Sequence, residues 1–199
     1  MNLHNLLADK SPDALAVTHN NNLTFAELEI AANSVAAKLQ SCGLKKNDRV
    51  ALLAENSVHW VAAFFGIQKA GFCAVLLNNA NKQDSHLSQL ADCDAKVIIG
   101  DKRLLTRLDS GLPQFEIDQF EPADSVPAVD GDIAVIIYTS GSTGKPRGVT
   151  LTPGNLLANT HQILSYLNLG KTDSVLSVLP FHYSFGLSLL LTHVSCGGR

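Results

Sequence analysis

Cysteine is scarce in this sequence and never closely paired. Cys42, Cys73, Cys93 and Cys196 are spaced too widely for the CxxC pattern that chelates zinc or runs dithiol chemistry. They read as reduced core thiols. Clusters of basic residues are also missing. The 15 Lys and Arg are offset by 18 Asp and Glu, for a net charge of −3, which excludes a polyanion-binding surface and a nucleic-acid partner. The opening residues, MNLHNLLADKSPD, have neither the basic segment nor the apolar stretch of a secretory signal. No apolar run is long enough to span a bilayer, so a cytoplasmic protein without a membrane span is expected. Internal repeats and low-complexity tracts are absent as well.

What is present is the composition of a globular chain, 46% hydrophobic and 17% charged over 199 residues, enough for one large domain or two small ones. Strand-like and helix-like segments alternate. In residues 23–43 (LTFAELEIAANSVAAKLQSCG), Thr24 and Glu27 form a capping-box pattern, Leu28, Ala31, Val35 and Leu39 share one face, and Gly43 stops the helix. A buried strand is expected at 49–54, a helix capped by Ser57 and ended by Gly71, a strand at 72–77, a helix at 84–91 and a strand at 96–100. This alternation predicts an α/β fold with a mostly parallel sheet covered by helices. Pro113, Pro122 and Pro127 then interrupt an acidic stretch without periodicity. We therefore expect a first αβ segment at 1–108, a linker at 109–131 and a further segment at 132–199. Within the last, 133–139 and 174–180 read as strands. Thr152 and Pro153 open a helix, and LSLLLTHV reads as another.

The apolar run IAVIIYT leads directly into a loop crowded with glycines, hydroxyls and two cations, YTSGSTGKPRGVTLT. Gly141, Gly144 and Gly148 leave backbone N–H groups open to an anion. Thr139, Ser140, Ser142 and Thr143 add hydroxyl donors, and Lys145 and Arg147 add positive charge. A Walker-type loop is excluded, because Thr139 stands where its first glycine belongs and Pro146 follows the lysine where a hydroxyl would hold magnesium. The plain alternative is a mobile Gly/Ser turn.

The same fifteen residues closely resemble the phosphate-binding signature of the adenylate-forming superfamily, which includes acyl-CoA synthetases, aryl-CoA ligases, luciferases and peptide-synthetase adenylation domains. LTFAELEIAANSVAAKLQSCGLKKNDRVAL is similar to that family's amino-terminal helix and strand, and LPFHYSFGLS to the segment bordering its carboxylate pocket. The resemblance implies the amino-terminal part of the large domain of an enzyme that joins a small-molecule carboxylic acid to the α-phosphorus of ATP. A thiol of CoA or a carrier protein then takes the acyl group. By resemblance, Thr139, Ser140, Gly141, Ser142, Thr143, Gly144, Lys145 and Arg147 belong to the phosphate cradle. Thr143 and Lys145 are the catalytic candidates, with Thr143 also the Mg2+ candidate through phosphate. Arg147 stands where the family commonly has lysine. His182 matches the carboxylate-pocket position, with Tyr183 and Phe185 lining the acyl site or packing the core, and Gly186 allowing a turn.

The remaining histidines, His4, His19, His59, His86, His161 and His193, have no ligand-like spacing and read as surface or core residues. Residues 174–194 contain no Asp or Glu. An amino-acid substrate would need a carboxylate for its buried ammonium, so this favours an acyl or aryl acid. The chain stops at CGGR, before the family's adenine contacts and its carboxy-terminal catalytic lysine, so we expect a fragment that is not competent alone. A natural truncated nucleotide- or partner-binding module, an amino-acid adenylation fragment and an α/β domain whose loop binds nothing are the alternatives. Apolar surface exposed at the truncated side is expected to invite association.

Overall fold

The structure, a computed structural model, describes residues 2–123, 125–139 and 146–199. A short 3-10 helix (Leu3–Leu7) is followed by an antiparallel hairpin of β1 (Leu15–Thr18) and β2 (Asn22–Thr24). Then come α1 (Phe25–Ser41), β3 (Arg49–Leu53), α2 (Val58–Lys69), β4 (Cys73–Leu76), α3 (Gln83–Asp92) and β5 (Ala95–Gly100). The chain continues with α4 (Lys102–Leu105), β6 (Gln114–Glu116), β7 (Val135–Thr139), β8 (Arg147–Leu151), α5 (Pro153–Leu167) and α6 (Ser184–Cys196).

Local chemistry sets the helix ends. The Glu27 backbone N–H donates to Thr24 Oγ1 at 3.2 Å while the Thr24 N–H donates to Glu27 Oε2 at 2.8 Å, the expected capping box. Ser57 accepts from the Trp60 N–H, and Thr152 with Asn155 closes a second box ahead of Pro153. Gly43, at φ +70°, follows the end of α1 in the left-handed region.

Six strands form one sheet in the order β6-β5-β3-β4-β7-β8, all parallel except β8, which runs antiparallel to β7. Side-chain alternation covers both faces, as a parallel sheet requires. Val50 and Leu52 of β3 join α1, α2, α5 and α6 in one core, whereas Ala51 and Leu53 join α3 and α4 in the other. The α/β, mostly parallel architecture is therefore as expected.

Three local readings change. Residues 147–151 extend the sheet as an antiparallel edge strand instead of belonging to the loop. Residues 174–180 form no strand, because among the described residues no neighbouring strand pairs with them. Of the four expected core thiols, Cys73 is buried, Cys93 and Cys196 are half-buried and Cys42 is exposed. The segment 109–131 contributes β6 and is tied to the preceding helices: the Val129 N–H donates to the Lys69 carbonyl at 2.8 Å, and Gln40 Nε2 donates to the Pro127 carbonyl at 3.0 Å. Among the described residues, no helix is long and apolar enough to cross a membrane.

Candidate functional site

In a parallel sheet, loops at the carboxyl ends of the strands converge, and ligands bind there. At the carboxyl ends of β4 and β7 lies a cavity of about 400 Å³. Its walls include Asn78 beyond β4, Gln89 of α3, Tyr138 and Thr139 of β7, and His182 and Tyr183 ahead of α6. Among the described residues, no charged side chain lines it; the polar groups are amides, hydroxyls and one imidazole.

His182 reaches this wall because the backbone before it is anchored. Phe181 is buried with its ring centroid 5.1 Å from that of Trp60. Asn56, just past β3, accepts the Phe181 N–H at 2.8 Å and donates to the Leu179 carbonyl at 2.9 Å. His182 is 5% exposed, and its Nε2 is buried without a partner among the described residues. Burial pushes its pKa down to about 4, so at neutral pH it is an uncharged imidazole with one unused hydrogen-bonding nitrogen. Gln89 Oε1, on the same cavity, is likewise buried and unpartnered. Two unused polar atoms on one hollow are costly unless a ligand or water meets them.

Tyr183 is half exposed, its ring 4.4 Å from the His182 ring, and its hydroxyl accepts from Asn78 Nδ2 at 3.2 Å. This joins the segment after β4 to the segment before α6. Gly186 does not serve a turn. It sits in the first turn of α6, where a Cβ would collide with the Pro180 carbonyl oxygen and lie 2.9 Å from its carbon. Glycine is needed there for close approach. Phe185 is exposed instead of packing the core.

Thr139 and Arg147, the outer members of the expected phosphate cradle, are exposed and directly opposite each other in the β7–β8 ladder. Both ends of the connection thus sit beside the cavity that His182 borders. The candidates Ser140, Gly141, Ser142, Thr143, Gly144 and Lys145 lie outside the described residues. Sequence reading missed Asn56, Asn78 and Gln89. The signal for the first two was their place immediately beyond the apolar strands β3 and β4. Two larger hollows, of about 680 and 480 Å³, are bordered by neither Thr139 nor His182.

Comparison with known proteins identifies the family. The chain is 35% identical over 201 residues to a 2-succinylbenzoate–CoA ligase of Bacillus velezensis, covering 96% of this chain and 41% of the ligase. It is 29% identical over 197 residues to a linear gramicidin synthase polypeptide of Brevibacillus parabrevis, covering 95% of this chain and 2% of that protein. The crystal structure of ATP-bound MatB from Rhodopseudomonas palustris superimposes with a TM-score of 0.88 at 25% identity, over 100% of this chain and 44% of that one. The chain therefore spans well under two thirds of the length of these relatives. With the family of AMP-binding enzymes matching residues 7–199, the chain belongs to that family.

Proposed function

We propose that the chain carries the phosphate-facing and carboxylate-facing parts of an ATP-dependent, acyl-adenylate-forming ligase acting on a small carboxylic acid. The observation that supports this best is the buried, unpartnered Nε2 of His182 on a neutral cavity beside the two strands that flank residues 140–145. ATP, as the second substrate, supplies the activated α-phosphorus and a pyrophosphate leaving group.

In this reading, Thr139, Ser140, Gly141, Ser142, Thr143, Gly144, Lys145 and Arg147 hold the phosphates. Their N–H groups, hydroxyls and cations offset charge that builds on pyrophosphate as its bond breaks. Mg2+ fits through the phosphates, with Thr143 as the hydroxyl nearest to it in role. Neutral His182 donates a hydrogen bond that orients the acid without trapping it as a tight ion pair. Tyr183 borders the acid, and Gly186 brings α6 close enough to present both. The acceptor in the second half-reaction is a thiol, of CoA or of a carrier protein.

Carboxylate-dependent exchange of labelled pyrophosphate into ATP by the full-length protein tests this. Exchange with an acyl or aryl acid is expected, and its absence across a panel of acids would overturn the reading. Similarity to the gramicidin synthase supports a second reading, amino-acid adenylation. Exchange driven only by amino acids would establish it. The first is favoured because neither residues 174–194 nor the described cavity walls carry a carboxylate to pair an ammonium.

A further inference from the structure

β7 is paired on both sides only part of the way along. Its parallel ladder with β4 ends at the Leu76–Ile137 pair, whereas its antiparallel ladder with β8 continues through Tyr138–Gly148 and Thr139–Arg147. Among the described residues, the last two of β7 therefore project beyond the sheet's interior, held by backbone pairing to the edge strand alone. Two residues at the end of an edge hairpin are the part of a sheet most prone to fray.

The Tyr138 side chain supplies the missing tie. Its hydroxyl donates to Asp92 Oδ2 at 2.6 Å and lies 3.1 Å from the Gln89 carbonyl oxygen, both in the last turn of α3. Its ring covers Gly148: a Cβ built there would lie 3.3 Å from Tyr138 Cζ and 2.9 Å from Ile136 Cγ2. The aromatic face takes the place of the side chain that the glycine lacks.

Asp92 gives an independent reason for the pairing. It is the final residue of α3, where a carboxylate opposes the helix dipole. Among the described residues it makes no ion pair, and the Tyr138 hydroxyl is the donor it has. Burial, followed by the hydrogen bond to Asp92, raises the phenol pKa, so Tyr138 keeps the proton it donates.

We infer that Tyr138 is a positioning residue: with its hydroxyl on Asp92 and its ring on Gly148, it fixes Thr139 and Arg147 against α3. This rests on the proposed function, in which those two residues flank the phosphate cradle. Tyr138 touches no reacting atom and acts through its neighbour Thr139.

The test uses Tyr138→Phe, Asp92→Ala and Asp92→Asn in the full-length protein, with two readouts. One is amide hydrogen exchange at Thr139 and Gly148 relative to β3 and β4. The other is the KM for Mg-ATP against the KM for the acid in pyrophosphate exchange. Tyr138→Phe and Asp92→Ala should each speed amide exchange at Thr139 and Gly148 and raise the ATP KM by about tenfold, the size of one lost charge-assisted hydrogen bond. The acid KM should rise much less than the ATP KM, since Tyr138→Phe keeps the ring on the cavity wall and removes only the hydroxyl turned to Asp92, and the β3–β4 amides should stay within about twofold. Asp92→Asn keeps an acceptor oxygen and should restore most of the effect. Unchanged amide exchange in Tyr138→Phe overturns the inference, as does a parallel rise in both KM values together with faster exchange in the core. If the unaltered protein shows no Mg-ATP dependence, the proposed function falls. Amide exchange at Thr139 and Gly148 then decides the tie by itself, a rise in Tyr138→Phe upholding it and no change overturning it.

Discussion

Asn56 and Phe181 are 125 residues apart in sequence, yet the Asn56 carboxamide accepts the Phe181 N–H at 2.8 Å and donates to the Leu179 carbonyl at 2.9 Å. One side chain thus satisfies backbone groups on both sides of Pro180, which no regular ladder could pair. Asn56→Ala removes both bonds at a partly exposed site and should cost about 1–2 kcal/mol of unfolding free energy. Asn56→Asp keeps the acceptor for Phe181 and should cost less. Urea denaturation of both variants measures the difference, and equal losses would show that the donated bond to Leu179 carries the effect.

Burial of His182 makes stability depend on pH. The unfolded chain takes up this proton near the ordinary 6.5, whereas the folded chain resists until about 4. Above 6.5 neither state is protonated and the group contributes no pH dependence. As pH falls from 6.5 to 4 the unfolded state binds more protons, and stability drops by on the order of 3 kcal/mol before levelling. His4 shifts the same way, chiefly through burial and then through Lys69. His182→Gln should therefore remove about half of the loss between pH 7 and pH 4.5. Denaturation midpoints at those two values check this, and an unchanged slope would assign the acid sensitivity elsewhere.

The elements that sequence reading located correctly are those whose signals are local. Thr24 with Glu27, Ser57, and Thr152 with Pro153 mark helix starts by chemistry within four residues, and each does so in the structure. The expectation failed where pairing decides. RGVTL became β8 because Val135–Thr139 lies alongside it, and residues 174–180 joined no strand among the described residues, Val175 bonding instead to the Arg199 carbonyl at 2.8 Å. The cavity was least legible, since Asn78, Gln89 and His182 meet only after crossovers have laid β4 beside β7. The unused polar atoms of Gln89 and His182 are facts of burial, which a sequence does not print.

Gly186 and Gly154 make a matched pair for testing close approach. A Cβ at Gly186 would strike the Pro180 carbonyl oxygen, and the atoms it meets, from Leu179 and Pro180, are all backbone and leave little room to yield. Gly186→Ala should cost about 2 kcal/mol or more through overpacking. At Gly154, in the first turn of α5, the nearest atom is Thr152 Oγ1 at 3.6 Å. Gly154→Ala should therefore stabilise the protein by up to about 1 kcal/mol through helix propensity. Thermal melts of the two variants should move in opposite directions. A shared rise would mean that backbone shifts absorb the clash at Gly186, and a shared fall that Gly154 lacks the room assigned to it.

Leu176 and Val178 are 84% and 75% exposed, with half-buried Val175 and Ser177 alternating between them. The segment thus alternates in burial and turns Leu176 and Val178 to solvent, while the Val175 N–H donates to the Arg199 carbonyl at 2.8 Å. Exposed apolar side chains of this kind promote association between chains. The isolated chain should therefore self-associate with rising concentration, and Leu176→Glu with Val178→Glu should suppress this by placing like charges on the same edge. Both side chains are outside the core, so the melting temperature of the double variant should stay close to that of the unaltered chain. Sedimentation velocity over a concentration series reads the outcome. Persistence of the same concentration dependence in the double variant would move the contact to another exposed apolar face, such as that around Tyr166 and Leu167 of α5.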